Sequence, residues 1–449
     1  MNMNLKDLFA LIDTDVPEKF ASLEFPSHLA TDSRDVKPGS AFVALEGEKT
    51  DGHKFIPQAI DNGAALIIAK KGKCVNVSVP VIELDDPERD LALLASRKLK
   101  AHELQEVIGI TGSVGKTTTR AALQLVLGQK FKIHAPERSF NTLIGCTSTI
   151  MAMTLDTEIL ILEFGANKPG EIRELTDYFP PTMSILTAVA PVHLEGFGDV
   201  EGVLREKLEI THTPAMTSIV FNNDNAYLHE AFQYVVKSMG VGESKDSDFV
   251  IGFDTSDYNL PALSFVLAHR PTQEIARFTA NIWGKHNAMP LALAASVGHE
   301  LGISLQDCAD SLEKFQALPG RGRVILLEDN TRFIVDDSYN ANPASMRASL
   351  ETFTRVKTSG KIAVLGEMRE LGPDSAKYHE ELTSLLENIE HVILVGNVWP
   401  EHEGFIRVAT WQEALEHLRA IMNNKDWSGI LVKGSNSIGL SNIVKEITA

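Results

Sequence analysis

The run Gly109-Ile110-Thr111-Gly112-Ser113-Val114-Gly115-Lys116-Thr117-Thr118-Thr119 holds the residue types that phosphate chemistry needs. Glycines let backbone amides wrap round phosphate oxygens, and the amino terminus of a following helix favours negative charge. Lys116 supplies a cation and Thr117 a hydroxyl suited to Mg2+. Five residues separate Gly109 from Gly115 rather than the four of GxxxxGK[ST], so the working pattern is GxxGKTT from Gly112. The plain alternative is a glycine turn without a ligand. Against it, an apolar strand precedes the loop and the helical TTTRAALQLVLG follows.

Three more side chains belong to the same chemistry. Glu163 closes the apolar run 159–162, which puts its carboxylate at the carboxyl edge of a parallel sheet, where open α/β folds bind ligands. Mg2+ takes one or two carboxylates beside phosphate oxygens and water, although a strand-end Glu serves as readily as a solvated or capping charge. His193, in APVHLEGFG, gains weight only from its company, since a lone histidine is more often packed or exposed. Lys207 lies in VEGVLREKLEI, where helical spacing reads it as a solvated charge on an amphipathic face.

Positioning these groups calls for parallel sheets. Short apolar runs alternate with helical patterns along the chain, the mark of βαβ units and an α/β fold. AFVALEG, FIPQAIDNGA and ALIIAK over residues 41–70 read as strand, helix and strand. A helix near 90–104 ends this small module at about residue 100. The strands EVIGITG (106–112), EILILEFGA (158–166) and MSILTAVA (183–190) carry the phosphate loop and its company. Pro319, Gly320 and Gly322 in FQALPGRGRV break any helix and mark a hinge near 315. TRFIVDD, KIAVLGEM, HVILVGN and GILVKGS then predict a Rossmann-like third domain. The expected domains are 1–100, a central parallel-sheet ATP-binding domain 101–315, and 316–449.

The length of 449 residues exceeds what one hydrophobic core sustains, so several cores are expected. With 44% apolar and 23% charged residues, disordered, collagen-like and disulfide-scaffold classes are excluded. Against 60 Asp+Glu the 42 Lys+Arg leave a net charge of −18, so bulk charge does not hold nucleic acid or an anionic membrane. Cys74, Cys146 and Cys308 form no CxxC or Cys/His spacing, which points to a reducing, cytoplasmic setting. No run of 18 apolar residues occurs and the first twenty residues are charged, so neither a membrane span nor a secretion signal is expected.

Taken with TDSRDVKPGSAFVALEGEKTDGHKFIPQAIDNGA, EFGANKPGEI, GKHN, DDSYNANPASM, VLGEMRELG and LVKGS, the chain resembles the Mur ligase family over nearly its whole length. These are ATP-dependent amide-forming enzymes of peptidoglycan precursor synthesis, and so of cell wall biogenesis, cell shape and division. GANKPGEI and DDSYNANPASM are most similar to the branch that joins D-alanyl-D-alanine to UDP-N-acetylmuramoyl-tripeptide. The resemblance assigns Gly112, Ser113, Gly115, Lys116, Thr117 and Thr118 to ATP phosphates, and His286, Asn287, Arg323 and Asp337 to the nucleotide. Thr117, Glu163 and His193 would hold magnesium, and Lys207 would be carbamylated by CO2, giving an oxygen-rich anion for a second Mg2+. Lys116, His193 and Lys207 would be catalytic. Asp32, Ser33 and Arg34 would meet the uridine nucleotide sugar, and Asn141, Thr142, Tyr339, Asn340, Asn342 and Pro343 the peptide substrates. A monomer is expected.

The implied reaction activates the tripeptide carboxylate as an acyl phosphate, which the dipeptide amine opens. Closure of the third domain about 319–323 would exclude water. The chain departs from the family at Ser139-Phe140-Asn141-Thr142, where an Asn-Asn pair is common, at Phe164, and at Asn436, where an Arg would clamp a carboxylate. Competing readings are a ligase of another step, such as third-residue addition, or a folylpolyglutamate synthetase; a P-loop kinase or switch; and a non-catalytic binding module. The stretch SYNANP favours the first branch.

Overall fold

The computed structural model describes residues 4–47, 50–73, 77–253, 263–327, 331–424 and 426–448, so Cys74 lies outside it. Three sheets succeed one another along the chain. The first is parallel, ordered Leu29–Ala30, Ala41–Val43, Leu66–Lys70, Val81–Leu84. Asp86 accepts the Arg89 amide and Pro87 opens the next helix, so that helix runs Pro87–Ala101, a few residues earlier than its apolar spacing predicts.

The central sheet has nine strands, and Glu106–Thr111 lies between Met183–Leu186 and Ile159–Glu163. Its inner strands are apolar on both faces, as a sheet covered by helices on both sides requires. Seven strands run parallel. The antiparallel pair Leu263–His269 and Glu274–Ala280, absent from the sequence reading, extends one edge. The third sheet has six strands: TRFIVDD, GILVKGS, KIAVLGEM and HVILVGN give its parallel part, with Arg323–Leu326 added antiparallel at one edge and Ile406–Val408 parallel at the other.

The cores are not divided as the sheets are. One apolar cluster runs from Leu5, Phe9 and Leu91 through Val107, Leu160 and Phe179 to Phe232, so the first and central sheets share packing. Lys98 adds a polar clamp there. Its ammonium donates to the carbonyls of Ile150, Met151 and Met153 at 3.1, 2.8 and 3.0 Å, at the carboxyl end of the helix Leu143–Ala152, where the Ile150 carbonyl also accepts the Met153 amide. The third domain packs on its own clusters, one of which takes in Trp283. Between lie Gly320 and Gly322, at φ 74° and 76°; a side chain on Gly320 would run into the Tyr339 backbone.

Candidate functional site

The phosphate loop links the strand Glu106–Thr111 to the helix Lys116–Gly128. Gly115 precedes that helix at φ 90° with no side-chain cap, which leaves the first-turn amides free for a ligand. Gly112 has φ 144°, and a Cβ there would come within 2.1 Å of Thr187 Oγ1. Ser113 stitches the loop down through its amide to Ala188 O at 2.8 Å and its hydroxyl to Ala190 O at 3.1 Å. The Lys116 ammonium folds back onto Gly112 O at 2.6 Å, and burial lowers its pKa.

Glu163 is fully buried at the end of Ile159–Glu163. One carboxylate oxygen takes Arg120 Nε at 2.7 Å, and the other takes the Thr117 hydroxyl at 3.0 Å. A carboxylate and a hydroxyl are thus side by side, with the second carboxylate oxygen fixed from behind; this hard-oxygen pair fits Mg2+. Thr117 also lies 3.0 Å from Ser139 Oγ, which accepts from Arg321 at 3.3 Å.

Two cavities border the loop. The larger, about 860 Å³, lies between the central and third domains. The smaller, about 380 Å³, reaches from the loop to the helix Pro87–Ala101 and is lined by Lys207, Thr142, Glu88 and Arg89 among others. Ser113, Lys116, Asn141, Asn167 and His193 line both, so the cavities meet at the loop lysine and the histidine.

Lys207 contradicts its periodicity: it is 2% exposed. The helix Val200–Leu208 turns charge inward because Glu206 accepts the Gly170 and Ile172 amides, both at 2.7 Å. Among the described residues no carboxylate lies within ion-pair distance of Lys207, whose ammonium sits 5.8 Å over the Phe197 ring. Burial, with nearby Lys116 adding repulsion, brings its pKa down to about 7. The neutral amine is the form that takes up CO2, and burial favours it here, so the residue fits a carbamate.

From the third-domain side, Asp337 and Lys433 are buried and paired at 2.8 Å, with Ser349 donating to Asp337 at 2.6 Å. His286 and Asn287 line the same cavity. His286 Nε2 is 3.3 Å from Asn287 Nδ2, whereas Nδ1 is buried without a partner, and burial lowers the ring pKa to about 4. A residue that lines a cavity and keeps an orphaned ring nitrogen suits a ligand's polar atom. Tyr339 and Asn340 line this cavity, and the Asn340 carbonyl accepts from Lys433 at 3.1 Å.

Other expected residues stand elsewhere. Arg323 is exposed at the start of the edge strand and lines neither cavity; Arg321, two residues earlier, lines the larger one and stacks 4.0 Å over Tyr339. Strand alternation alone would put residues two apart on one face; Arg321 lies ahead of the strand, between Gly320 and Gly322 at positive φ, and these hinge glycines turn it inward. Asn342 and Thr142 cap the helices Pro343–Arg355 and Leu143–Ala152, and Pro343 opens the first of these without lining the cavity. Asp32 and Arg34 pair with each other near the surface, a bond that holds the Asp32 pKa at about 2, and Ser33 donates to Gln58 at 2.8 Å. None of these three lines either cavity. Thr118 lines the larger cavity, Phe164 is buried, and Asn436 is exposed.

The sequence reading assigns no role to Arg120, Arg321 or Lys433, and marks Ser139 only as a departure from the family. Arg120 is one helical turn beyond Lys116, and Lys433 ends a strand as Glu163 does, so both carried a positional signal.

Profiles of the Mur ligase family match in three pieces: "Mur ligase family, catalytic domain" over residues 27–101, "Mur ligase middle domain" over 110–298 and "Mur ligase, glutamate ligase domain" over 320–436. A Bacillus subtilis protein named UDP-N-acetylmuramoyl-tripeptide--D-alanyl-D-alanine ligase is 30% identical over 93% of this chain and 92% of its own length. A MurF crystal structure from Acinetobacter baumannii is 25% identical with a TM-score of 0.83, covering 99% of this chain and 98% of that one. MurF ligase from Thermotoga maritima, solved in complex with ADP, is 27% identical with a TM-score of 0.77 over 94% of this chain and 98% of its own.

Proposed function

The chain belongs to the Mur ligase family, and from that premise we propose how its own residues carry the reaction of its relatives. It is an ATP-dependent ligase that joins D-alanyl-D-alanine to UDP-N-acetylmuramoyl-tripeptide through an acyl phosphate, releasing ADP and phosphate. The observation that carries the residue assignment is the meeting of two cavities at Lys116 and His193. One chamber is large enough for ATP and the incoming dipeptide, and the other admits the acceptor's carboxylate.

The tripeptide carboxylate attacks the γ-phosphorus and ADP leaves. The dipeptide amine then attacks the acyl carbon, and the tetrahedral intermediate expels phosphate. Carboxylate and triphosphate repel each other, so the first step needs fixed positive charge at the junction. Lys116 is placed for it: its ammonium, resting on Gly112 O, turns to the phosphates beside the free first-turn amides. Arg321 adds a second cation from the hinge, and burial and the Tyr339 ring keep it poised at the loop. His286 and Asn287 meet the nucleotide, and the Asp337–Lys433 pair fixes the third-domain wall of the chamber. Thr117, Glu163 and His193 would hold Mg2+, and a carbamate on Lys207 a second ion; bound there, magnesium neutralises phosphate charge that builds in the transition state.

Asp32, Ser33 and Arg34 remain the uridine-sugar candidates on the first domain. We keep domain limits near residues 100 and 315 as part of this reading; strands that end at Leu84 and Ala280 and resume at Glu106 and Arg323 support them. Among the described residues no helix is long and apolar enough to cross a membrane. ATP and a UDP-linked substrate suit a cytoplasmic setting.

Purified protein with ATP and Mg2+ should release phosphate only when UDP-muramoyl-tripeptide and D-alanyl-D-alanine are both present, with mass spectrometry showing one dipeptide added. Steady release with either substrate alone would favour the kinase or hydrolase alternative.

A further inference from the structure

His193 and Glu370 meet across the boundary between the central and third domains. The Glu370 carboxylate pairs with His193 Nδ1, and the Leu194 amide donates to the Glu370 carbonyl at 3.2 Å. Among the described residues only four non-glycines have positive φ, and these are two of them, at 50° and 64°. L-residues adopt that conformation at a cost, so the surrounding packing holds both against their backbone preference.

Glu370 has no other ion-pair partner among the described residues and its side chain is 58% exposed, while its neighbour Arg369 is committed to Glu367 at 2.8 Å. His193 Nε2, in turn, has no hydrogen-bond partner among the described residues, and the ring stands where the two cavities meet. A histidine held through one nitrogen by a carboxylate, with the other presented to a ligand cavity, is the arrangement that fixes an imidazole tautomer for ligation.

We propose that Glu370 is the positioning residue for His193: by accepting the Nδ1 proton it leaves the Nε2 lone pair facing the phosphate chamber. Glu370 belongs to the third domain, so this contact ties the His193 ring to that domain. What Nε2 meets rests on the function proposed above; the pairing and its effect on the ring do not.

The test uses the full chain with ADP and Mn2+ as the probe, free Mn2+ being counted by electron paramagnetic resonance. Glu370→Ala should raise the Mn2+ Kd about 10- to 100-fold, the usual cost of losing such a partner. Glu370→Gln, whose amide oxygen still accepts from Nδ1, should recover part of that loss. Nitrogen-15 ring shifts, assigned with His193→Gln, should show the Nδ1–H tautomer in the parent and in Glu370→Gln, and a mixture in Glu370→Ala. Neither readout needs a peptide substrate, so a failed ligase assay leaves them intact. A Mn2+ Kd within twofold of the parent in a folded Glu370→Ala protein, or an unchanged tautomer, would overturn the proposal. Should Glu370→Ala fail to fold, an unchanged Mn2+ Kd in the folded Glu370→Lys protein, which places a cation at Nδ1, would do the same.

Discussion

Lys207→Met should make the protein more stable and inactive at once. The native Lys207 is 2% exposed with no carboxylate in ion-pair reach among the described residues, and its pKa falls from the ordinary 10.5 to about 7. At about 1.4 kcal/mol for each tenfold change in acidity, holding the charged form in the folded protein costs on the order of 5 kcal/mol. The sign follows from proton counting. Between pH 7 and 10.5 the unfolded chain binds the proton and the folded chain does not, so stability rises with pH across that window, and the full cost is present below pH 7. Methionine fills a similar volume without charge. Its advantage should therefore be largest at pH 6, about 2 kcal/mol at pH 9, and gone above pH 10.5. For a domain of this size roughly 2–4 °C accompany each kcal/mol, so calorimetry in CO2-free buffer should show the variant melting on the order of 10 °C higher at pH 6. Ligase activity should be lost, and Lys207→Arg should be equally inactive, since guanidinium neither gives up its proton nor forms a carbamate. A variant that melts no higher than the parent at pH 6, or by a margin that ignores pH, would refute the reasoning and mean that the ammonium has a stabilising partner.

Lys116→Ala should lower kcat by about a thousandfold or more with little change in melting temperature, because its cation serves the phosphates and not a core; equal turnover in a steady-state phosphate assay would remove the loop assignment. Gly112→Ala should destabilise by about 2–4 kcal/mol and abolish nucleotide binding by calorimetric titration, since the added methyl collides with a Thr187 hydroxyl held by the Thr111 and Val114 carbonyls. Lys98→Met should cost about 2–3 kcal/mol in urea unfolding of the first and central domains while leaving KM for ATP unchanged, because the carbonyls of Ile150, Met151 and Met153 lose the ammonium far from the loop, Ile150 keeping only the Met153 amide.

What the sequence disclosed and what it hid divide along a physical line. The phosphate loop was legible because its chemistry is local: glycines, lysine, threonine and helix start lie within a dozen residues. Glu163 was legible because a strand's end fixes where its last carboxylate goes. Lys207 was misread, since period-3.6 spacing says which residues share a face but not which face turns inward; two backbone amides held by Glu206 decide that. Arg321 and Arg323 are two residues apart, and only the positive-φ glycines on either side of Arg321 settle which enters the cavity. The antiparallel pair Leu263–His269 and Glu274–Ala280 looks like any alternating strand pair until its sheet is known. Glu370 stood in the motif VLGEMRELG, but its pairing with His193 was hidden, because its partner belongs to another domain.

The apolar cluster shared by the first and central domains gives the molecule a fixed ruler. If the uridine end of the acceptor is moored on the first domain and its carboxylate must arrive at Lys116, the span between them is set by packed core and does not adapt. Each peptide residue reaches at most about 3.3–3.6 Å, so an acceptor one residue short stops a full residue away from the phosphates, and one too long overruns them. The enzyme can therefore count the residues already attached without reading their side chains. The third domain packs mostly on clusters of its own, which leaves the dipeptide to be brought to a length already measured.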